Sequence, residues 1–78
     1  MIKQLSELKE NETAIIESAD LSKSSDSGAF LREIGFISGT VIKCLHRSFS
    51  GDPTAYLIKG AVIALRRSDS DRIKCRII

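Results

Sequence analysis

The clearest structural pattern in this sequence is Arg72-Ile73-Lys74-Cys75-Arg76-Ile77, in which apolar and basic residues alternate strictly. Because successive side chains of a β-strand point to opposite faces, this pattern predicts a strand with one buried face. Four segments upstream show the same period or a β-branched composition that is typical of strands. They are Thr13–Glu17, Thr40–Arg47, Thr54–Lys59 and Val62–Arg66. The sequence therefore predicts five short strands.

A short helix is predicted between the first two of these strands, at about Ser27–Ile34. Its single apolar stripe is formed by Phe30, Leu31 and Ile34. Asp26 or Ser27 can cap the start of the helix by accepting a hydrogen bond from a free N–H group. Gly35 follows, where helices often end in a left-handed residue. The polar stretch 21–28 before the helix is predicted to be a loop.

Together these elements predict an all-β fold, a small and partly closed β-barrel, because an open sheet this short would only half cover its apolar face. The helix stripe is expected to plug one end of the barrel. The predicted inward residues are Ala14, Ile16, Ile42, Cys44, Tyr56, Ile58, Ile63, Leu65, Ile73 and Cys75. Residues 68–71, Ser-Asp-Ser-Asp, are expected to form one helical turn that Ser68 caps.

Length and composition restrict the function. A chain of 78 residues, 42% of them hydrophobic, is expected to form one domain spanning residues 1–78, which is too small for a two-domain enzyme with a deep cleft. The longest apolar run, Ala61–Leu65, is far shorter than the ~20 residues of a membrane span. Residues 1–7 lack a secretory pattern, so a cytoplasmic protein is expected. With His46 as the only histidine and no phosphate-binding glycine loop, neither an enzyme nor a cofactor is predicted.

The two cysteines and the histidine raise the question of a metal site. Cys44 and Cys75 form no C-x-x-C pair, and the simplest interpretation is that they are small, reduced core residues. Cys44 and His46 lie two residues apart on a predicted strand, so they are expected to share a face and could both ligate a metal ion. Cys75 or Asp52 could then supply a third ligand. The alternative is that the pair fills the barrel core.

Basic residues are concentrated in the second half of the chain. Residues 40–78 contain eight Lys or Arg and three Asp, whereas residues 1–39 contain four Lys or Arg and seven Asp or Glu. The densest group is Arg66, Arg67, Arg72, Lys74 and Arg76. This group could attract an acidic partner or a nucleic acid, or could simply cover the solvent face of the strands. Proteins that bind single strands stack bases on exposed aromatic residues, and the chain has only four aromatics, so nucleic-acid binding is not expected.

An ordered set of motifs resembles the FeoA family. These motifs are Leu31–Thr40, then Gly51-Asp52-Pro53, then Ile63–Arg67 and the alternating last strand. The resemblance implies an SH3-like barrel that binds protein and performs no chemistry, a small cytoplasmic accessory of bacterial ferrous iron uptake. It implies contact with the cytosolic GTPase region of the transporter FeoB. The same module occurs in metal-responsive repressors, so a small metal- or nucleic-acid-binding barrel of that regulator type is the alternative. A homo-oligomer is compatible with either function.

A protein-binding site is expected where apolar residues are exposed beside polar ones. Phe36-Ile37, just after the helix, is one candidate, although burial against the barrel mouth is an equal alternative. Phe49, in the turn before Gly51 and Asp52, is the better candidate because a loop tip has little to pack against. Arg66, Arg67 and Arg72 could guide an acidic partner to this surface.

Overall fold

The described part of the chain folds into a six-stranded antiparallel sheet with two short helices, so the predicted all-β fold is confirmed. The computed structural model describes residues 2–20 and 27–78, and the side chains of the first helix from Leu31 onward. The strands are β1 (Ile2–Gln4), β2 (Thr13–Ala19), β3 (Val41–Arg47), β4 (Thr54–Ile58), β5 (Ala61–Leu65) and β6 (Ile73–Ile77). Their order in the sheet is β1-β6-β2-β3-β4-β5, which leaves β1 and β5 at the two edges. All five predicted strands are present, and β1 is an addition.

Helix α1 (Ser27–Ile34) has the predicted bounds and ends as predicted at Gly35. The Gly35 N–H donates to the Arg32 carbonyl at 3.2 Å, and the Phe36 N–H donates to the Leu31 carbonyl at 3.1 Å. This pair of hydrogen bonds is a Schellman motif, which needs a left-handed residue, and Gly35 has a φ of 118°. Residues 27 and 28, predicted as the end of the loop, belong to α1, while the rest of that loop, the side-chain cap at Asp26 or Ser27 and the side chain of Phe30 lie outside the described residues.

The core lies where the alternation predicted it. Of the ten predicted inward residues, nine are buried, and Ile63 is half-buried against them. The helix contributes Leu31, which is buried, and Ile34, which packs partly against the core. Leu5 and Leu8 are also fully buried but were not among the predicted core residues, because the N-terminal segment resembles an irregular lead-in.

Hydrogen bonds from distant strands hold this N-terminal segment in place. Leu5 begins a 3₁₀ turn, Leu5–Glu7, and its carbonyl accepts a hydrogen bond from the Tyr56 hydroxyl at 3.3 Å. The Arg47 guanidinium donates to the Ser6 carbonyl at 2.6 Å and also to the Leu8 carbonyl. Leu5 and Leu8 therefore cover the core from an N-terminal segment that lies before the five predicted strands.

Candidate protein-binding site

The β3–β4 connection, residues 48–53, is a tightly bonded turn at one end of the barrel. The Gly51 N–H donates to the Ser48 carbonyl at 2.8 Å, and the Ser48 N–H donates to the Pro53 carbonyl at 3.3 Å. The Thr54 hydroxyl donates to the Gly51 carbonyl at 3.2 Å. These bonds across the turn fix the backbone that carries Phe49.

Phe49 lies at the tip of this turn and contacts little else in the protein. Its relative exposure is 110%, the highest among the exposed large hydrophobic residues of the described chain. Because hydrogen bonds already order the backbone of the turn, binding through Phe49 would cost mainly the freedom of its two side-chain torsions. Aromatic anchors of this kind contribute much of the free energy of protein–protein binding.

A side chain of the same turn bonds to the second helix. Helix α2 (Arg67–Ser70) begins after Arg66, and no side chain at its N-cap position accepts a hydrogen bond. The Asp52 carboxylate Oδ1 instead accepts the Arg67 N–H at 3.0 Å. The expectation that Ser68 caps this helical turn is therefore wrong, and Asp52 supplies the acceptor from another part of the chain.

This hydrogen bond places the turn beside two arginines. Arg66 and Arg67 are exposed, and the ion pairs found among the described residues, His46–Glu10 and Arg76–Glu17, do not include them. Their positive charge is therefore available to an acidic partner. Five of the predicted partner-binding residues thus lie together, and we call them the tip site: Phe49, Gly51, Asp52, Arg66 and Arg67.

The other three predicted residues lie elsewhere. Phe36 is fully buried beneath the end of α1, so the alternative of burial is the correct one and Phe36 is not part of an exposed patch. Ile37 is 48% exposed, but it precedes β3 whereas Phe49 follows it. A strand of this length separates them by roughly 20 Å. Arg72 is exposed and follows the far end of α2.

The expectation that Cys44 and His46 share a face is wrong. The β3–β4 register shifts between these two residues, so that Cys44 opposes Tyr56 and His46 opposes Ala55. A β-bulge of this kind places an extra residue, here Leu45, in one strand and reverses the alternation. Cys44 consequently lies in the core, whereas the His46 side chain is exposed with its Nδ1 3.3 Å from Glu10 Oε2.

The buried thiols also have little tendency to ionise. Burial raises the pKa of Cys44, and burial raises the pKa of Cys75 to about 11. The thiolate is the form that binds metals, whereas burial favours the protonated thiol. These surroundings therefore favour the interpretation of both cysteines as reduced core residues. Both cysteines are free, and the described residues contain no group of three or more potential ligands.

One of the two basic residues of β6 is paired with an acidic side chain. Arg76 pairs with Glu17, with its Nε 2.9 Å from Glu17 Oε1. Tyr56 and Phe36 are fully buried, so Phe49 is the one exposed aromatic residue in the part of the chain whose side chains are described. A single aromatic is a poor platform for stacking successive bases.

Among the helices of the described chain, none has the length and apolar character needed to cross a membrane.

The antiparallel sheet and its two short helices define the class of small SH3-like barrels. Residues 3–77 match the model of the FeoA domain, and the chain belongs to the FeoA family, which confirms the resemblance seen in the sequence. No curated protein matches the chain.

Solved structures of FeoA proteins share this fold. A zinc complex of Stenotrophomonas maltophilia FeoA, described as a prokaryotic SH3 domain protein, is 30% identical with a TM-score of 0.78, covering 96% of this chain and 88% of that one. FeoA from Chlorobium tepidum is 26% identical with a TM-score of 0.86, covering 97% and 70%. A manganese-dependent transcriptional repressor, 14% identical with a TM-score of 0.84, shares the fold over 99% of this chain and 42% of its own.

Proposed function

We propose that this protein is a non-enzymatic accessory factor of bacterial ferrous iron uptake that binds the cytosolic GTPase region of a FeoB-type transporter. Its membership of the FeoA family supports this role. So does the Stenotrophomonas maltophilia relative, which is described as a candidate ferrous iron transport activating factor. Because the partner's GTPase region is cytosolic, the protein acts in the cytoplasm.

The observation that carries the proposal is the geometry of the tip site. Phe49 is wholly exposed on a hydrogen-bonded turn, and Asp52 fixes that turn against the N-terminus of α2. Burying a phenylalanine side chain in a partner pocket contributes about 1.5–3 kcal/mol. Arg66 and Arg67 lie beside it with no ion pair in the described structure, so they supply attraction to an acidic surface.

The direct test is a binding titration of the whole protein with the isolated cytosolic GTPase region, with and without a guanine nucleotide. Phe49→Ala is expected to weaken binding roughly tenfold or more. Its matched control is Val41→Ala, which truncates an apolar side chain that is 50% exposed on β3, away from the tip site. The absence of binding at micromolar concentrations in every nucleotide state would contradict the proposal.

Charge reversal tests the electrostatic part of the site. Arg67→Glu leaves the backbone N–H that bonds to Asp52 in place and reverses only the exposed charge. It is expected to slow association and to reduce the salt dependence of binding. Lys74→Glu is the control, because Lys74 is also exposed but lies on β6. Equal effects of the two reversals would show that net charge, and not the tip site, governs association.

A further inference from the structure

The outer side of β5 has no neighbouring strand in the described part of the chain. The two-residue turn Lys59–Gly60 joins β5 to β4, with φ values of 50° and 80° that are typical of a type I′ hairpin. The residues that flank such a turn, Ile58 and Ala61, exchange both backbone hydrogen bonds, and bonded pairs then recur at every second residue.

This register decides which backbone groups of β5 are free. Ala61, Ile63 and Leu65 direct their N–H and C=O groups toward β4. Val62 and Ala64 therefore direct theirs to the open edge of the sheet. With one donor and one acceptor on each residue, the edge can form up to four backbone hydrogen bonds with an added strand.

The β5 edge also lacks the features that normally protect an edge strand. Ala61–Leu65 contains no charged residue and no proline, and its pairing with β4 runs without a register shift. The opposite edge, β1, has only three residues, one of which is Lys3. Val62 is 63% exposed and pairs with Leu57, so the outer face offers apolar contacts to alternating side chains. Unprotected edges of this kind bind added strands.

The charges around β5 indicate what kind of strand fits. Lys59 precedes the strand and Arg66 and Arg67 follow it, all three exposed, and no acidic residue occurs in 59–68. A second copy paired antiparallel about Ile63 would bring Lys59 of each copy against Arg67 of the other. Like charges that meet at both ends disfavour that pairing. A segment with acidic residues at its ends would complement both.

We propose that the β5 edge binds an extended segment of a partner protein as an added strand, with alternating apolar residues over Val62 and Ala64 and acidic residues facing Lys59 and Arg66–Arg67. The inference deepens the proposed function, because Arg66 and Arg67 also belong to the tip site. It adds the conformation and charge pattern of the partner segment that the same surface accepts.

The test uses the whole protein and a synthetic peptide, so it does not depend on the transporter. The peptide has alternating valine and threonine at its centre and two aspartates at each end, and its control has lysines in place of the aspartates. Binding is followed by amide chemical shifts and hydrogen exchange. The acidic peptide is expected to shift and protect the Val62 and Ala64 amides, and the lysine peptide is expected to leave them unchanged.

Two variants remove the edge in different ways. Ala64→Pro deletes an outward N–H, and Val62→Lys places a charge on the apolar face; each is expected to weaken peptide binding roughly tenfold or more. Val41→Lys is the matched control, because Val41 is 50% exposed but lies on β3, between two paired strands. Thermal unfolding of each variant confirms that it is folded. If Ala64→Pro fails to fold, Val62→Lys still tests the proposal, because it leaves every backbone N–H of β5 in place.

The outcomes separate this inference from the proposed function. Unchanged Val62 and Ala64 amides at millimolar acidic peptide would overturn the β5 proposal, as would equal binding of the lysine peptide. Shifts that depend on protein concentration alone would identify a second copy as the occupant and would also overturn it. If Val62→Lys binds the GTPase region like wild type while Phe49→Ala does not, the proposed function stands without the edge.

Discussion

The hydrogen bond between Asp52 and the Arg67 backbone makes a sharp prediction, because it is the contact that joins the exposed turn to α2. Asp52→Ala removes the carboxylate that accepts the Arg67 N–H at 3.0 Å. No side chain at the N-cap position of α2 can replace it. The N-terminus of α2 would therefore lose the only side-chain acceptor that the described structure provides for that N–H group.

The size of the effect follows from measured helix caps. Replacing a side-chain cap by alanine costs ~0.5–2 kcal/mol. Asp52 is exposed, so water can partly replace it, and we expect the lower half of this range, about 0.5–1 kcal/mol. For a domain of this length that corresponds to a fall in Tm of roughly 2–8 °C. Asp52→Asn keeps a carbonyl oxygen and loses the charge, so its loss should be smaller.

Urea and thermal unfolding give the change in stability, and hydrogen exchange gives its location. The Arg67 amide is expected to exchange faster in Asp52→Ala than in wild type, whereas the amide of Ile58 in β4 should follow global stability alone. Binding to the transporter's GTPase region should weaken as well, because the turn that carries Phe49 loses its attachment. Equal stability of the alanine and asparagine variants with wild type, together with unchanged exchange at Arg67, would refute the reasoning.

Three further predictions concern the core, the end of α1 and pH. Leu8→Ala is expected to cost about 2–5 kcal/mol in urea unfolding, and a loss below ~1 kcal/mol would contradict its role in the core. Gly35→Ala should destabilise more than Gly39→Ala, by differential scanning calorimetry, because the φ of 118° at Gly35 lies farther than the φ of 92° at Gly39 from the left-handed minimum near about 57°. Equal losses would contradict this. Burial raises the pKa of Cys75 from 9.0 to about 11, so the native thiol keeps its proton to a higher pH than the unfolded one. The stability that the buried thiol contributes is therefore complete below pH 9.0 and falls by up to ~3 kcal/mol as the pH rises toward 11. The stability difference between wild type and Cys75→Ala, measured in urea, should therefore shrink as pH rises through this range, and a constant difference would disprove it.

The strands of the sheet could be predicted because the sequence pattern that specifies each strand lies within a few consecutive residues. In a strand such as β6, alternation alone assigns Ile73 and Cys75 to the core, and both are fully buried. Helix α1 was predictable for the same reason, since its apolar stripe and Gly35 lie within a few residues of one another. No local feature of the sequence distinguishes Leu5 from a residue of an irregular lead-in, because the position of Leu5 depends on Tyr56, which is 51 residues away.

The candidate site was only partly predictable. The exposure of Phe49 follows from its place beside Gly51 in a turn. Its proximity to Arg67 depends on a hydrogen bond to Asp52 that spans 15 residues of sequence. The separation of Cys44 from His46 depends on a β-bulge, which adds one residue without changing the local pattern.

The packing of the barrel restricts where this protein can act. The interior is filled by large side chains such as Tyr56, Phe36 and Ile42, each fully buried. A close-packed interior of this kind leaves no room for a ligand, so a partner would bind at the outer surface, where we propose the rim turn and the open edge. The rim turn at Phe49 and the β5 edge meet at Arg66, because β5 ends one residue before it and Asp52 holds the turn against the residue after it. An acidic segment bound at that point would contact both features, and the specificity of the protein would then come from backbone geometry and charge together.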